Sequence, residues 1–266
     1  PTWSPDGQRV AYVTWATDGC PKDCRGTGHV WKMRADGSGQ AVQLTRTAAY
    51  YTDLAWSPDG TRIVALRGSA YNRLVAQGGF GGASGLDVVW IPAEGGEATL
   101  IIPSRGIGRP HFTNAKDRIF FYSNEGLLSL RWDGTDRRNH LRVTGTGNYN
   151  AEEPVPASDV RARPDGQWVL AHVMNQLYLL ALPEVGGDTA PTVNVNSPTV
   201  PSKKLTDVGA DYFDWGDDGK TITWAIGASF FRQPFETVTF DPPRRDDARS
   251  GGGGPPPSDM LDETCS

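Results

Sequence analysis

An all-β fold of repeated four-stranded units is what this sequence predicts, and three observations predict it. The 266 residues include 32 Gly and 20 Pro, a density of turn formers that would interrupt helices every few turns. Nine Trp, eight Tyr and nine Phe supply enough apolar surface to offset the entropy of ordering, which argues against disorder. A turn motif recurs five times at near-constant spacing, and periodicity of this length marks repeat architectures.

The first copy runs Trp3-Ser4-Pro5-Asp6-Gly7-Gln8-Arg9-Val10-Ala11, and the second Trp56-Ser57-Pro58-Asp59-Gly60-Thr61-Arg62-Ile63-Val64. A degenerate third begins at Phe112, a fourth at Ala162 (Ala162-Arg163-Pro164-Asp165-Gly166) and a fifth at Trp215 (Trp215-Gly216-Asp217-Asp218-Gly219). The spacings between first positions are 53, 56, 50 and 53 residues. Within each turn Pro presets φ, Asp bonds nearby backbone, and Gly accepts the positive φ that closes a hairpin. The runs that follow, Arg9 to Trp15, Arg62 to Leu66, Arg118 to Tyr122, Trp168 to Val173 and Thr221 to Ile226, are rich in β-branched and aromatic residues and read as strands. The aromatic that opens a turn (Trp3, Trp56, Phe112, Trp215) is expected on a buried face between neighbouring sheets.

A second hairpin follows in each unit. His29 to Arg34 leads through Asp36-Gly37 to Ala41–Thr45, and Asp87 to Ile91 leads through Gly95-Gly96 to Ala98–Ile102. Leu127 to Trp132 leads through Asp133-Gly134 to His140–Thr144, and Gln176 to Leu182 reaches Lys204–Thr206 after a longer insert. In the fifth unit a third strand is expected over Phe230 to Phe240. Four short strands per unit of about fifty residues match the blade of a β-propeller. Blade units thus start near residues 3, 56, 112, 162 and 215 of a propeller spanning 1–240, and the Gly/Pro-rich 241–266 reads as a linker or disordered tail. Unpaired edges at both ends favour an arc of a larger ring of six to eight blades over a closed five-bladed one. The Gly-rich stretch Gly78 to Gly85 has no Lys-Ser/Thr and reads as a loop insertion rather than a phosphate cradle.

Composition also excludes. A net charge of −5 with no clustered basic patch argues against nucleic acid. The most apolar run, Trp168 to Val185, carries His172, Asn175 and Gln176 and reads as two strands rather than a membrane span. No signal peptide is visible at Pro1-Thr2-Trp3. Cys20 and Cys24 form a disulfide candidate in an exported protein.

The segments TWSPDGQRVAYV, LAWSPDGTRIVAL and VWKMRADGSGQAVQLT resemble the PD40 (WD40-like) repeats of TolB-type propellers. The stretch from Leu205 to Phe235 resembles the close of the propeller in large bacterial amidohydrolase-family proteins, in which the propeller precedes a metal-dependent hydrolase barrel. The first resemblance implies a non-catalytic, periplasmic or secreted module that binds a protein or peptide. The second implies, as the alternative, the propeller portion of a hydrolase whose catalytic domain belongs to the same polypeptide.

No catalytic set is legible. The histidines His29, His111, His140 and His172 form no HxH, HExxH or i,i+4 pair, no Gly-x-Ser-x-Gly elbow occurs, and no metal or other cofactor is expected in this chain. Three residues before the repeat aromatic stand Asp53, Arg109, Asp159 and Tyr212, with Asp211 one step earlier. The start of an innermost strand approaches the central channel, so these residues, with His111, are the candidate binding residues of the channel mouth. A lactonase- or lyase-like propeller enzyme would require Asp53, Asp159 and Asp211 to converge on a metal.

Overall fold

The computed structural model describes residues 1–17, 26–77, 85–146, 153–184 and 189–240. Five antiparallel sheets follow one another along the chain, one per repeat. Blade one is β1 (Thr2–Trp3), β2 (Arg9–Ala16), β3 (Thr27–Arg34) and β4 (Val42–Gln43). Blade two is β5 (Tyr50–Trp56), β6 (Arg62–Gly68), β7 (Asp87–Pro92) and β8 (Thr99–Pro103), with a helix, α1 (Ala70–Gln77), between β6 and β7. Blade three is β9 (Gly108–His111), β10 (Arg118–Ser123), β11 (Gly126–Arg131) and β12 (Arg138–Gly145), continued by β13 (Val155–Pro156). Blade four is β14 (Asp159–Ala162), β15 (Trp168–Val173), β16 (Gln176–Ala181) and β18 (Ser202–Lys204). Its insert sends β17 (Thr192–Asn194) back to pair in parallel with β12 of blade three. Blade five is β19 (Tyr212–Gly216), β20 (Thr221–Ile226) and β21 (Ser229–Pro234).

The repeated turn closes each inner hairpin as its residue types require. In blade one the Gly7 N–H donates to Ser4 O at 2.9 Å, and in blade two Gly60 does the same to Ser57 O at 2.9 Å. Gly7 and Gly60 hold φ of 68° and 69°, a region that costs an L-residue steric strain. Asp59 Oδ1 accepts from Ser57 Oγ at 2.6 Å and from the Thr61 N–H at 3.0 Å, while Ser57 Oγ accepts the Arg62 N–H at 2.9 Å. The Ser57 hydroxyl first, and then the Thr61 amide, hold the Asp59 carboxyl below its ordinary range.

Packing is between blades. Four buried clusters join consecutive sheets: one to two through Ala11, Val30, Trp56 and Ile63; two to three through Val64, Leu66, Ile119 and Phe121; three to four through Leu141, Val143, Val169 and Leu180; four to five through Leu170, Leu179, Phe213 and Ile222. Blades two, three and four therefore bury the alternate positions of their strands against both neighbours, as period-two patterning demands. Among the described residues no such cluster joins blade five to blade one.

Several expectations are corrected. Trp56 is buried as anticipated, but Trp3, which joins no buried cluster among the described residues, is 62% exposed, and Phe112 and Trp215 are half-buried. The third strand of blade five ends at Pro234, not Phe240. After a 3-10 turn at Phe235–Thr237 the chain folds back so that Phe235 and Phe240 lie on the Trp168 ring, with centroids 5.4 and 4.6 Å away. Helix α1 was not foreseen, although Ser69 starts it as a cap: its backbone N–H and hydroxyl both donate to Asn72 Oδ1, at 2.8 and 2.7 Å. The disulfide candidate Cys20–Cys24, the tail 241–266 and nearly all of the Gly78–Gly85 loop lie outside the described residues.

Candidate functional site

Five inner strands converge on a cavity of about 440 Å³, walled by Trp3, Leu54, Trp56, Pro110, Phe112 and Trp215 and edged by charge. Two residues of the wall take left-handed backbone, Asp53 at φ 51° and Arg109 at φ 54°. Each lies next to an irregularity in the pairing of its inner strand, between Thr52 and Ala55 in blade two and opposite Phe120–Tyr122 in blade three. Non-glycine residues persist there only when surroundings over-determine them. Here the Asp53 carboxylate accepts the Arg109 backbone N–H at 3.0 Å, tying blade two to blade three.

Charges alternate along this rim. Arg109 reaches Asp53 at 3.8 Å and Asp159 at 3.9 Å; Arg161 reaches Asp159 at 3.2 Å and Asp214 at 2.7 Å. The sequence Asp53–Arg109–Asp159–Arg161–Asp214 thus steps across blades two, three, four and five as an unbroken acid–base chain. Exposure varies along it: the side chains of Arg109 and Asp214 are 54% and 62% exposed, whereas that of Asp159 is 9% exposed. Asp159 Oδ1 is buried and accepts no hydrogen bond from the described residues.

His111 is a strut. Its Nε2 accepts the Ala162 N–H of blade four at 3.0 Å, which leaves the ring proton on Nδ1 to donate to Arg109 O at 2.9 Å. Burial lowers its pKa from 6.5 to about 4, so the ring is neutral at pH 7. The indoles of the repeat do similar work: Trp56 Nε1–H donates to Thr2 O at 3.3 Å and Trp215 Nε1–H to Arg161 O at 3.1 Å, both 54 residues back.

Of the residues singled out in the sequence, Asp53, Arg109 and His111 line the cavity, and Asp159 sits behind it, paired to two arginines that do. Asp211 and Tyr212 do not line it: Asp211 accepts the Gly227 N–H at 2.8 Å, and Tyr212 is 78% exposed. Asp53, Asp159 and Asp211 do not converge, and no three His, Cys, Asp or Glu side chains gather for a metal ion among the described residues. Sequence reasoning missed Arg161 and Asp214. The signal was available one strand period along: the residues immediately before the repeat aromatics, Thr2, Ala55, His111, Arg161 and Asp214, all line the cavity. The other histidines serve locally, His29 at 3.1 Å from Thr45 O, His140 at 2.7 Å from Ser129 Oγ, and His172 between Ser158 Oγ and Ala210 O.

No protein-family profile matches the sequence, and no curated protein matches it. Solved structures match at low identity. A protein assigned as TolB from Agrobacterium tumefaciens is 14% identical at a TM-score of 0.47, covering 84% of this chain and 68% of that one. An oligogalacturonate lyase in complex with manganese is 10% identical at 0.47, covering 90% and 74%. A protein from Bacteroides ovatus assigned as a dipeptidyl aminopeptidase IV is 12% identical at 0.44, covering 90% of this chain and 38% of that one. No activity passes to this chain from such likenesses. No helix among the described residues is long and apolar enough to cross a membrane. On its own geometry, the chain is a β-propeller of five repeated blades whose inner strands line a charged cavity.

Proposed function

We propose that this chain is a non-catalytic propeller module of an exported bacterial protein, binding a protein or peptide at the channel mouth. The observation that supports it is the pairing of the rim charges. A general acid or base needs a proton-transferring group free to reach substrate, but Asp159 and Arg161 are committed to one another and His111 uses both ring nitrogens as a strut. The groups left to meet a ligand are the two more exposed members of the charge chain, Arg109 and Asp214, beside walls of Trp3, Trp56 and Phe112. Opposite charges flanking an aromatic cleft suit an extended peptide with an acidic and a basic side chain, the charges giving orientation and the rings most of the affinity.

The test is a displayed peptide library selected on the purified chain, with hits remeasured by titration calorimetry. Arg109→Ala and Asp214→Ala are expected to weaken the selected peptides about tenfold or more each, the loss of a charge-assisted contact, with melting temperatures unchanged. Peptides indifferent to both substitutions would move the binding surface elsewhere. Turnover of an ester, lactone or polyuronate that depends on channel residues would refute the non-catalytic reading.

A further inference from the structure

A second cavity, of about 500 Å³, lies at the joint of blades two and three and shares no residue with the first. Three segments line it: residues 104–107, which carry the chain from β8 to β9, the hairpin turn 123–125 between β10 and β11, and Arg137 just before β12. Ile107, Leu128 and Leu130, buried in the cluster that joins the two blades, form its inner part. Half-buried Ile102 and exposed Pro103 leave apolar surface open beside it. Small-molecule sites are built in this way, from roughly 300–1,000 Å³ of largely apolar space with a few convergent polar groups.

The connection from β8 to β9 is held in left-handed backbone. The Ile107 N–H donates to Ser104 O at 2.9 Å, and both central residues of this turn have positive φ, Arg105 at 45° and Gly106 at 90°. Asn, Asp and Gly are the residues that suit such a turn, and an arginine at its first centre costs steric strain. Arg109, also left-handed, is tied by ion pairs to Asp53 and Asp159. The Arg105 side chain has no ion pair or hydrogen bond among the described residues. The facing hairpin is equally unsatisfied. In blade five the Asp211 carboxylate accepts the Gly227 N–H at 2.8 Å and ties the connection to the hairpin. Blade three has Gly108 at the register of Asp211. Asn124, which matches Gly227 by the pairs Ser123↔Gly126 and Ile226↔Ser229, has no partner for its side-chain amide among the described residues.

Charge identifies the ligand class. The charged side chains lining the cavity are two guanidiniums, Arg105 and Arg137, and one carboxylate, Glu125. Glu125 is committed, its Oε2 accepting from Arg137 at 2.7 Å. Arg105 and the Asn124 amide are therefore donors in surplus beside apolar surface, at a site of net positive charge. A guanidinium fork matches the two oxygens of a carboxylate, and apolar walls favour an apolar body attached to it. The geometry points to a binding site between blades two and three for a small organic carboxylate with an apolar body. Arg105 holds the carboxylate, the Asn124 amide adds a hydrogen bond, and Ile102 and Pro103 cover the apolar part. The strained backbone at residue 105 is thereby retained for the ligand rather than for the fold. This site is independent of the peptide reading of the channel.

Octanoate, titrated into the whole chain and followed by ligand-observed NMR, is the probe, with acetate and octylammonium as controls. It is expected to bind about tenfold or more tighter than either control. Arg105→Gly separates binding from structure. Glycine accepts φ of 45° without strain, so the melting temperature of this variant is expected at or above that of the parent, while octanoate affinity falls about tenfold. Arg46→Ala removes an exposed arginine from the connection between blades one and two, where no such cavity is lined by it, and is expected to leave octanoate affinity unchanged. Octanoate binding no tighter than acetate or octylammonium overturns the inference, as does parental affinity in Arg105→Gly. An equal loss in Arg46→Ala would reduce the effect to general surface charge and overturn it too. A melting temperature several degrees lower in Arg105→Gly would assign the arginine to the fold, with the same consequence.

Discussion

His111 shows how much one side chain carries at the channel. It is the acceptor for the Ala162 N–H and a donor to Arg109 O, so His111→Ala leaves a backbone donor of the neighbouring blade without its partner. A cost of about 1–3 kcal/mol is expected, read as a shift in the urea midpoint at unchanged m-value. At Asp53 the effect divides by chemistry. Asp53→Asn keeps both an acceptor for the Arg109 N–H and a residue tolerant of positive φ and is expected to cost under about 1 kcal/mol. Asp53→Ala loses the acceptor and strains the backbone, and about 2 kcal/mol is expected in the same titration. Charge reversal at Asp159 is a poor probe of binding, since it would place a third cation between Arg109 and Arg161.

At the scale of the element, the sheets were legible because their alternation is fixed by burial on both faces. Leu170 and Leu179, paired across β15 and β16 and fully buried, illustrate the consequence. Leu170→Ala is expected to destabilise by about 2–5 kcal/mol, checked by thermal or denaturant unfolding. Helix α1 escaped because about two turns in a Gly-rich neighbourhood give a short, weak periodic signal. Ser69 and Asn72 carried it, but only the fold shows that they bond one another. The return of β17 to blade three was invisible for a different reason. A three-residue strand chooses its partner by which open edge is nearby, and here that edge is Arg142–Thr144 of β12.

For the whole molecule, two part-buried neutral histidines set an acid limit. His111 and His140 are both lowered from 6.5 to about 4, burial being the first cause in each. An unfolded chain takes up these protons near 6.5, while the folded chain resists until about 4. Their contribution is therefore complete above pH 6.5 and is lost as the pH falls toward 4. The slope is at most about 1.4 kcal/mol per pH unit for each histidine. Denaturant midpoints measured between pH 8 and 4.5 should decline over that window, and His111→Gln should flatten the decline.

The order of blades, the turns that close them and the aromatic position that opens each unit were determined by the sequence alone, because they rest on local turn chemistry and period-two burial repeated five times. The same register named Asp53, Arg109 and His111, which line the cavity, but also Asp211 and Tyr212, which do not. What only the tertiary structure decided is which polar residues meet. Asp159 lies behind the rim, Arg161 and Asp214 take the places expected of Asp211 and Tyr212, and Trp3 stands in solvent while Trp56 is buried. The physical reason is that contacts between blades depend on the rotation of one sheet against the next, and that quantity is not written in any single repeat.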